Sequence, residues 1–150
     1  MPAENSKILS AWDVLAGAEI SGTCAVLGGG LVGTETAEYL AAWGHKVLII
    51  EMMDKIAAGE SGTVMPLITK DFETHNVEQY VNTKVKEIRD NVIYAVNTAD
   101  NTELTLQADT IVNALGSKKN TFDAAGITVP VTYIGDCSGE RTADIAAAIR

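Results

Sequence analysis

Apolar positions along this chain follow three rhythms, and each predicts a different kind of element. Two stretches, Thr23-Cys24-Ala25-Val26-Leu27 and Lys46-Val47-Leu48-Ile49-Ile50, are apolar almost throughout. Short runs without polar alternation predict strands covered on both faces of a parallel sheet. Between them Gly33, Ala37, Leu40, Ala41 and Gly44 recur at three- and four-residue steps. That spacing predicts a helix from about residue 31 to 43, with a stripe of small residues that presses closely on the sheet. Residues 23–50 thus read as one strand–helix–strand unit.

The helical rhythm returns over residues 63–75, where Val64, Leu67, Ile68, Phe72 and His75 share a face. Pro66 suits the first turn and Asn76 can close the end. Residues 77–81 supply a third short strand. Near the N-terminus, residues 8–17 predict a short helix, with Ser10 as its N-cap and Gly17 as its end.

A period of two takes over further on. Residues 84–89, 92–97 and 103–107 alternate, as in Val92, Tyr94 and Val96, then Leu104 and Leu106. Asp90-Asn91 and Thr98-Ala99-Asp100-Asn101 separate them as turns, which predicts a three-stranded antiparallel meander with one solvated face. Residues 109–114 read as another buried strand, closed by Gly116. A polar linker over 117–120 leads to a last strand at 131–134, ending at Gly135-Asp136, and residues 143–150 read as an uncapped helix. The predicted class is α/β: a Rossmann-like parallel sheet carrying an antiparallel meander.

Composition narrows the function. The 150 residues carry a net charge of −9 and no basic cluster, which excludes a nucleic-acid partner of the usual phosphate-binding kind. A dinucleotide stays open, because backbone amides at a helix end can hold a pyrophosphate. The two cysteines, Cys24 and Cys137, form no CxxC or metal-ligand spacing and read as reduced structural thiols. No apolar run approaches the ~20 residues of a membrane span. A cytoplasmic protein without a membrane partner is expected.

The chemistry concentrates at Gly28-Gly29-Gly30-Leu31-Val32-Gly33, a G-x-G-x-x-G pattern that follows a predicted strand and opens a predicted helix. Gly28 serves the tight turn, Gly30 the close approach of a pyrophosphate, and Gly33 the packing of helix on strand. Glu51 ends the second strand, where a carboxylate accepts ribose hydroxyls and repels a 2′-phosphate. The next basic residue is Lys55, so NAD(H) is favoured over NADP(H).

Other polar residues divide less cleanly. Glu35 lies near the turn on a helix otherwise rich in small residues, whereas Glu38 reads as solvated. Met52 and Met53 either line an adenine edge or simply pack. Asp136 either holds a ribose or ribityl hydroxyl or caps a following helix. His75 reads as a helix-end residue. The chain contains no nucleophile with a base, no metal cluster and no paired-carboxylate motif, so no catalytic residue is assigned.

The stretch Ala25-Val26-Leu27-Gly28-Gly29-Gly30-Leu31-Val32-Gly33-Thr34-Glu35-Thr36-Ala37-Glu38-Tyr39-Leu40 resembles the NAD-binding segment of the flavin-dependent pyridine nucleotide oxidoreductases. It is most similar to the NADH:flavin oxidoreductase branch that includes 2-enoate reductase and 2,4-dienoyl-CoA reductase. Ser10-Ala11-Trp12-Asp13-Val14-Leu15-Ala16-Gly17 resembles that branch's lead-in. Ala108-Asp109-Thr110-Ile111-Val112-Asn113-Ala114-Leu115-Gly116 resembles its exit from the NAD domain, and Tyr133-Ile134-Gly135-Asp136-Cys137 its late Gly-Asp motif.

The resemblance implies that Gly28, Gly29, Gly30, Leu31, Val32, Gly33, Glu51, Met52, Ala114 and Gly116 line the NAD(H) site. It places Glu35 near the nicotinamide and Asp136 against FAD. It implies a lead-in from an FAD domain over residues 1–20, an NAD(H) domain over 21–117 and a partial return into the FAD domain over 118–150. FAD, FMN, an iron–sulfur cluster and a barrel domain are expected only in a full-length protein that reduces an unsaturated acid or enoyl thioester, the isolated chain being inactive. Two alternatives stay open. One is a free-standing NAD(H) sensor, against which the end at Arg150 argues. The other is the NAD domain of a disulfide reductase or NADH oxidase, the former disfavoured by the lack of CxxC.

Overall fold

The computed structural model describes residues 3–4, 6–116 and 123–133. The chain divides into two compact units, Met1–Gly116 and Ser117–Arg150.

In the first unit the elements run β1 (Ala3–Glu4), β2 (Ile8–Ser10), α1 (Ala11–Leu15), β3 (Cys24–Leu27), α2 (Leu31–Ala42), β4 (Val47–Ile50) and α3 (Met65–Thr74). They continue with β5 (Glu78–Tyr80), β6 (Thr83–Arg89), β7 (Val92–Asn97), β8 (Glu103–Gln107) and β9 (Thr110–Asn113). Five strands pair in the order β2-β9-β3-β4-β5, every pair parallel. The meander β6-β7-β8 is antiparallel, and β1 adds to its β6 edge in parallel. This is the α/β architecture expected from the sequence, a Rossmann-like parallel sheet with a three-stranded antiparallel meander.

The continuous apolar strands follow from two covered faces. Side chains alternate across a strand, so Cys24, Val26, Val47, Ile49 and Val112 enter one core with Val14, Ala37, Leu40, Ile68 and Phe72 of the helices. Their neighbours Ala25, Leu27, Leu48, Ile50 and Ile111 enter a second core with Ile88 and Ile93 of the meander. Neither face of β3 or β4 meets water, and all eight residues of these strands are buried.

Several expectations need correction. Residues 8–10 form an edge strand on β9 rather than the start of a helix. Ser10 is indeed the N-cap, in a reciprocal capping box with Asp13, but the helix it starts lasts five residues. On α3 the inward face is Met65, Ile68 and Phe72, while Leu67 stays 67% exposed. Gly44 lies beyond α2 with φ +87 and is exposed, so it ends the helix instead of extending the buried stripe.

The meander turns its other phase inward. Pairing decides which side of β7 is covered: Ile93 lies opposite Leu106 and Ala95 opposite Leu104, and both Ile93 and Ala95 are buried.

 Val92, Tyr94 and Val96 occupy the opposite side, with Tyr94 exposed. Between β6 and β7, Asp90 and Asn91 both take positive φ (49° and 62°), the geometry of a two-residue hairpin turn that twists with its strands. A bulge between Val85 and Glu87 then brings Val85 and Ile88 to the same side.

In the second unit, the described residues 123–133 include a turn at Ala125-Gly126, where Asp123 accepts the N–H of Ala125 at 2.9 Å. Val131, Thr132 and Tyr133 are exposed and belong to no strand, contrary to expectation. The linker at 117–120, Gly135, Asp136, Cys137 and the helix expected at 143–150 lie outside the described residues.

Candidate functional site

The site is built where β3, β4 and β9 end side by side. Leu27 pairs with Ile50 on one flank and with Asn113 on the other. The residues that follow each strand, Gly28, Glu51 and Ala114, therefore meet at one edge of the sheet. In open α/β sheets this carboxyl edge is where ligands bind.

Gly28 makes the turn. Its φ is +102° and its N–H donates to Ile50 O at 2.9 Å. A Cβ here would stand 2.6 Å from Ala114 O, so both conformation and space require glycine. Five residues on, a Cβ on Gly33 would overlap the carbonyl oxygen of Gly28 and crowd Ala114. Gly33 thus lets α2 sit directly on the turn, and Ala114 completes that packing.

Gly29 and Gly30 face different surroundings. A Cβ on Gly29 would meet Glu51 and Ile56 at 2.9 Å, whereas one on Gly30 would meet no protein atom within 4 Å. Gly30 is also the N-cap of α2, with no side-chain cap bond and no acidic residue in the first turn. A 12-residue helix therefore presents its first amides and the positive end of its dipole without a protein partner side chain. This cradle fits a phosphate group. Leu31 and Val32 flank it and are about half exposed.

Glu51 ties the turn to the loop that follows it. Its Oε2 accepts the N–H of Gly29 at 2.6 Å and its Oε1 accepts the N–H of Met53 at 2.7 Å. A carboxylate has roughly four lone-pair positions, so each oxygen retains one for a further donor. Met52 and Met53 follow, each 55% exposed, beside this carboxylate in sequence.

Glu35 lies exposed on the second turn of α2. One turn further, Glu38 is half-buried, and its carboxyl is held above the usual carboxylate range by burial and by the charges of Asp71 and Glu35. His75 pairs with Asp71 at 3.5 Å at the end of α3, away from the glycine turn in sequence and consistent with a helix-end role. Cys24 is fully buried beneath the sheet's helices, and burial, with Asp109 nearby, pushes its thiol up to about 11. Gly116, with φ +88, closes the described part of the unit.

Three contributors escape a sequence reading. Thr34 is fully buried and its hydroxyl donates to Gly29 O at 3.3 Å. Ile56 and Ala57 are buried within an otherwise exposed loop, and the N–H of Ala57 donates to Gly29 O at 2.6 Å. The available signal was an isoleucine directly after Asp54-Lys55 in a loop, and a threonine inside a stripe of small residues. Among the described residues no cluster of His, Cys, Asp and Glu has the makings of a metal site. No helix there is long and apolar enough to cross a membrane.

Residues 4–140 match the family described as pyridine nucleotide-disulphide oxidoreductase. The chain is 42% identical over 155 residues to a bilirubin reductase of Mediterraneibacter gnavus, an alignment covering 99% of this chain and 24% of that protein. It is 34% identical over 142 residues to an NADH oxidase of Thermoanaerobacter brockii, covering 89% of this chain and 21% of that protein. Among solved structures, a 2-naphthoyl-CoA reductase in complex with 2-naphthoyl-CoA superposes with a TM-score of 0.79 at 27% identity, covering 97% of this chain and 22% of the other. The chain thus spans under a quarter of the length of these relatives. It belongs to the pyridine nucleotide-disulphide oxidoreductase family.

Proposed function

We propose that this member of the family is the NAD(H)-holding portion of a larger flavoenzyme, in which hydride passes from NADH to FAD. The observation that carries the reading is Gly30: an open cradle at the uncapped start of α2, one residue from the peptide that Glu51 clasps. In this reading Gly28, Gly29, Gly30, Leu31, Val32 and Gly33 hold the pyrophosphate, and Glu51 takes the adenine ribose. Met52 borders the adenine, and Ala114 and Gly116 line the far wall. Glu35 faces the nicotinamide half, and Asp136 contacts FAD.

The bound nicotinamide supplies the hydride chemistry, and the chain's residues bind and orient it. Glu51 disfavours NADPH, since its carboxylate would stand against the 2′-phosphate. Residues 21–117 form the NAD(H) portion, with 1–20 and 118–150 contributing to an FAD domain. The full-length protein reduces an unsaturated acid or enoyl thioester; similarity to a 2-naphthoyl-CoA reductase supports a thioester substrate. Similarity to an NADH oxidase favours a second reading in which oxygen takes the electrons. FMN and an iron–sulfur cluster belong to the first reading.

Calorimetric titration of the chain with NADH and with NADPH tests the proposal. Saturable NADH binding on the order of 10 μM to 1 mM, about −7 to −4 kcal/mol, with a weaker NADPH response, is the expected result. Preference for NADPH would reverse the cofactor assignment, and binding of neither by folded protein would remove the site.

A further inference from the structure

The peptide between Gly29 and Gly30 is gripped from one side. Gly29 O accepts both the N–H of Ala57 at 2.6 Å and the hydroxyl of Thr34 at 3.3 Å. Among the described residues no peptide bond is cis, and in a trans peptide the N–H points opposite to the C=O. Turning the Gly29 carbonyl toward Thr34 and Ala57 therefore turns the Gly30 N–H away from them.

Two details set these contacts apart from ordinary packing. The hydroxyls of Thr36, Thr69 and Thr74 each donate to the carbonyl four residues earlier in their own helix. Thr34 instead reaches five residues back, out of its helix and into the turn, while its own N–H donates to Gly30 O at 2.9 Å. Ala57, for its part, holds a φ of +48°, a left-handed conformation that the Cβ of an alanine disfavours. The strained residue is the one whose N–H reaches Gly29 O.

We propose that Thr34 and Ala57 are positioning residues for the dinucleotide pyrophosphate, acting through the Gly29 carbonyl to aim the Gly30 amide at a phosphate oxygen. The proposal rests on the reading of the glycine turn as an NAD(H) site. It adds to that reading a buried hydroxyl and a loop backbone that act through the turn.

Thr34→Val keeps the shape and removes the hydroxyl, and Thr34→Ser restores it. NADH titration of folded protein is expected to show affinity reduced about five- to tenfold in Thr34→Val, the scale of one hydrogen bond, and near the original value in Thr34→Ser. In ligand-free protein, the Gly30 amide resonance should move in Thr34→Val and stay in Thr34→Ser. Thr34→Ala serves as the hydroxyl-free variant if the valine methyl prevents folding. A hydroxyl-free variant that is less stable yet binds NADH as well as the unaltered chain would overturn the proposal, as would a serine variant that fails equally. If the unaltered chain itself binds no NADH, the underlying site reading falls first, and the proposal falls with it.

Discussion

The carboxylate of Glu51 and the N–H of Gly29, 22 residues apart in sequence, are joined by a hydrogen bond of 2.6 Å. The acid at the end of β4 is thereby part of the glycine turn at the end of β3, before any ligand enters. In the proposed reading, this one side chain both shapes the turn that would hold the phosphates and would offer its spare lone pairs to the ribose.

Glu51→Gln should therefore act as more than a loss of charge. An amide has one acceptor oxygen and a donor NH₂, so one of the two N–H groups, of Gly29 or Met53, must face another donor. Urea unfolding is expected to show a loss of about 1–2 kcal/mol, and NADH affinity should fall together with it. Unchanged stability would show that the clasp contributes little.

Gly33→Ala is expected to be severe. The added methyl would overlap Gly28 O, a backbone atom that cannot swing aside. The helix must lift from the turn, which should cost about 1–3 kcal/mol, read as a lowered denaturation midpoint.

Glu38 should make neutral pH slightly unfavourable. Its folded carboxyl sits above the usual carboxylate range, chiefly through burial and then through Asp71 and Glu35. The folded state thus binds that proton more tightly. The resulting stability is full below the unfolded pKa and is lost as pH rises through the folded one. Glu38→Gln is expected to gain about 0.5 kcal/mol at pH 7 after allowance for solvent screening, and nothing at low pH. Melting temperatures across pH 3–8, a span bracketing carboxylate titration, give the comparison.

Cys24 should be inert while the protein is folded. Its thiol is pushed up to about 11 and is fully buried, and only the thiolate reacts readily. Peptide mapping after iodoacetamide should find Cys24 modified only in urea.

The unit from β3 to β4 was legible because unbroken apolar runs and the glycine spacing reflect local requirements. The phase of β7 was not, since Val92-Ile93-Tyr94-Ala95-Val96 is apolar at every position and only pairing with Leu104 and Leu106 decides which side is buried. Ile8 and Leu9 became a strand because β9, a hundred residues later, supplies their partners. At the site, the glycines and Glu51 could be named from spacing. The grip of Thr34, Ile56 and Ala57 on Gly29 could not, because it depends on how the loop after Glu51 folds back.

Gly30→Ala, studied by urea unfolding and NADH titration together, tests the central claim most directly. With φ −69° and no protein atom near a new Cβ, alanine fits this position without strain. Stability should stay within about 0.5 kcal/mol, the stiffer unfolded chain offsetting the poorer cap. NADH affinity should fall by about tenfold or more, because the methyl occupies the cradle assigned to the pyrophosphate. A folded Gly30→Ala chain that binds NADH as tightly as the unaltered one would contradict the account.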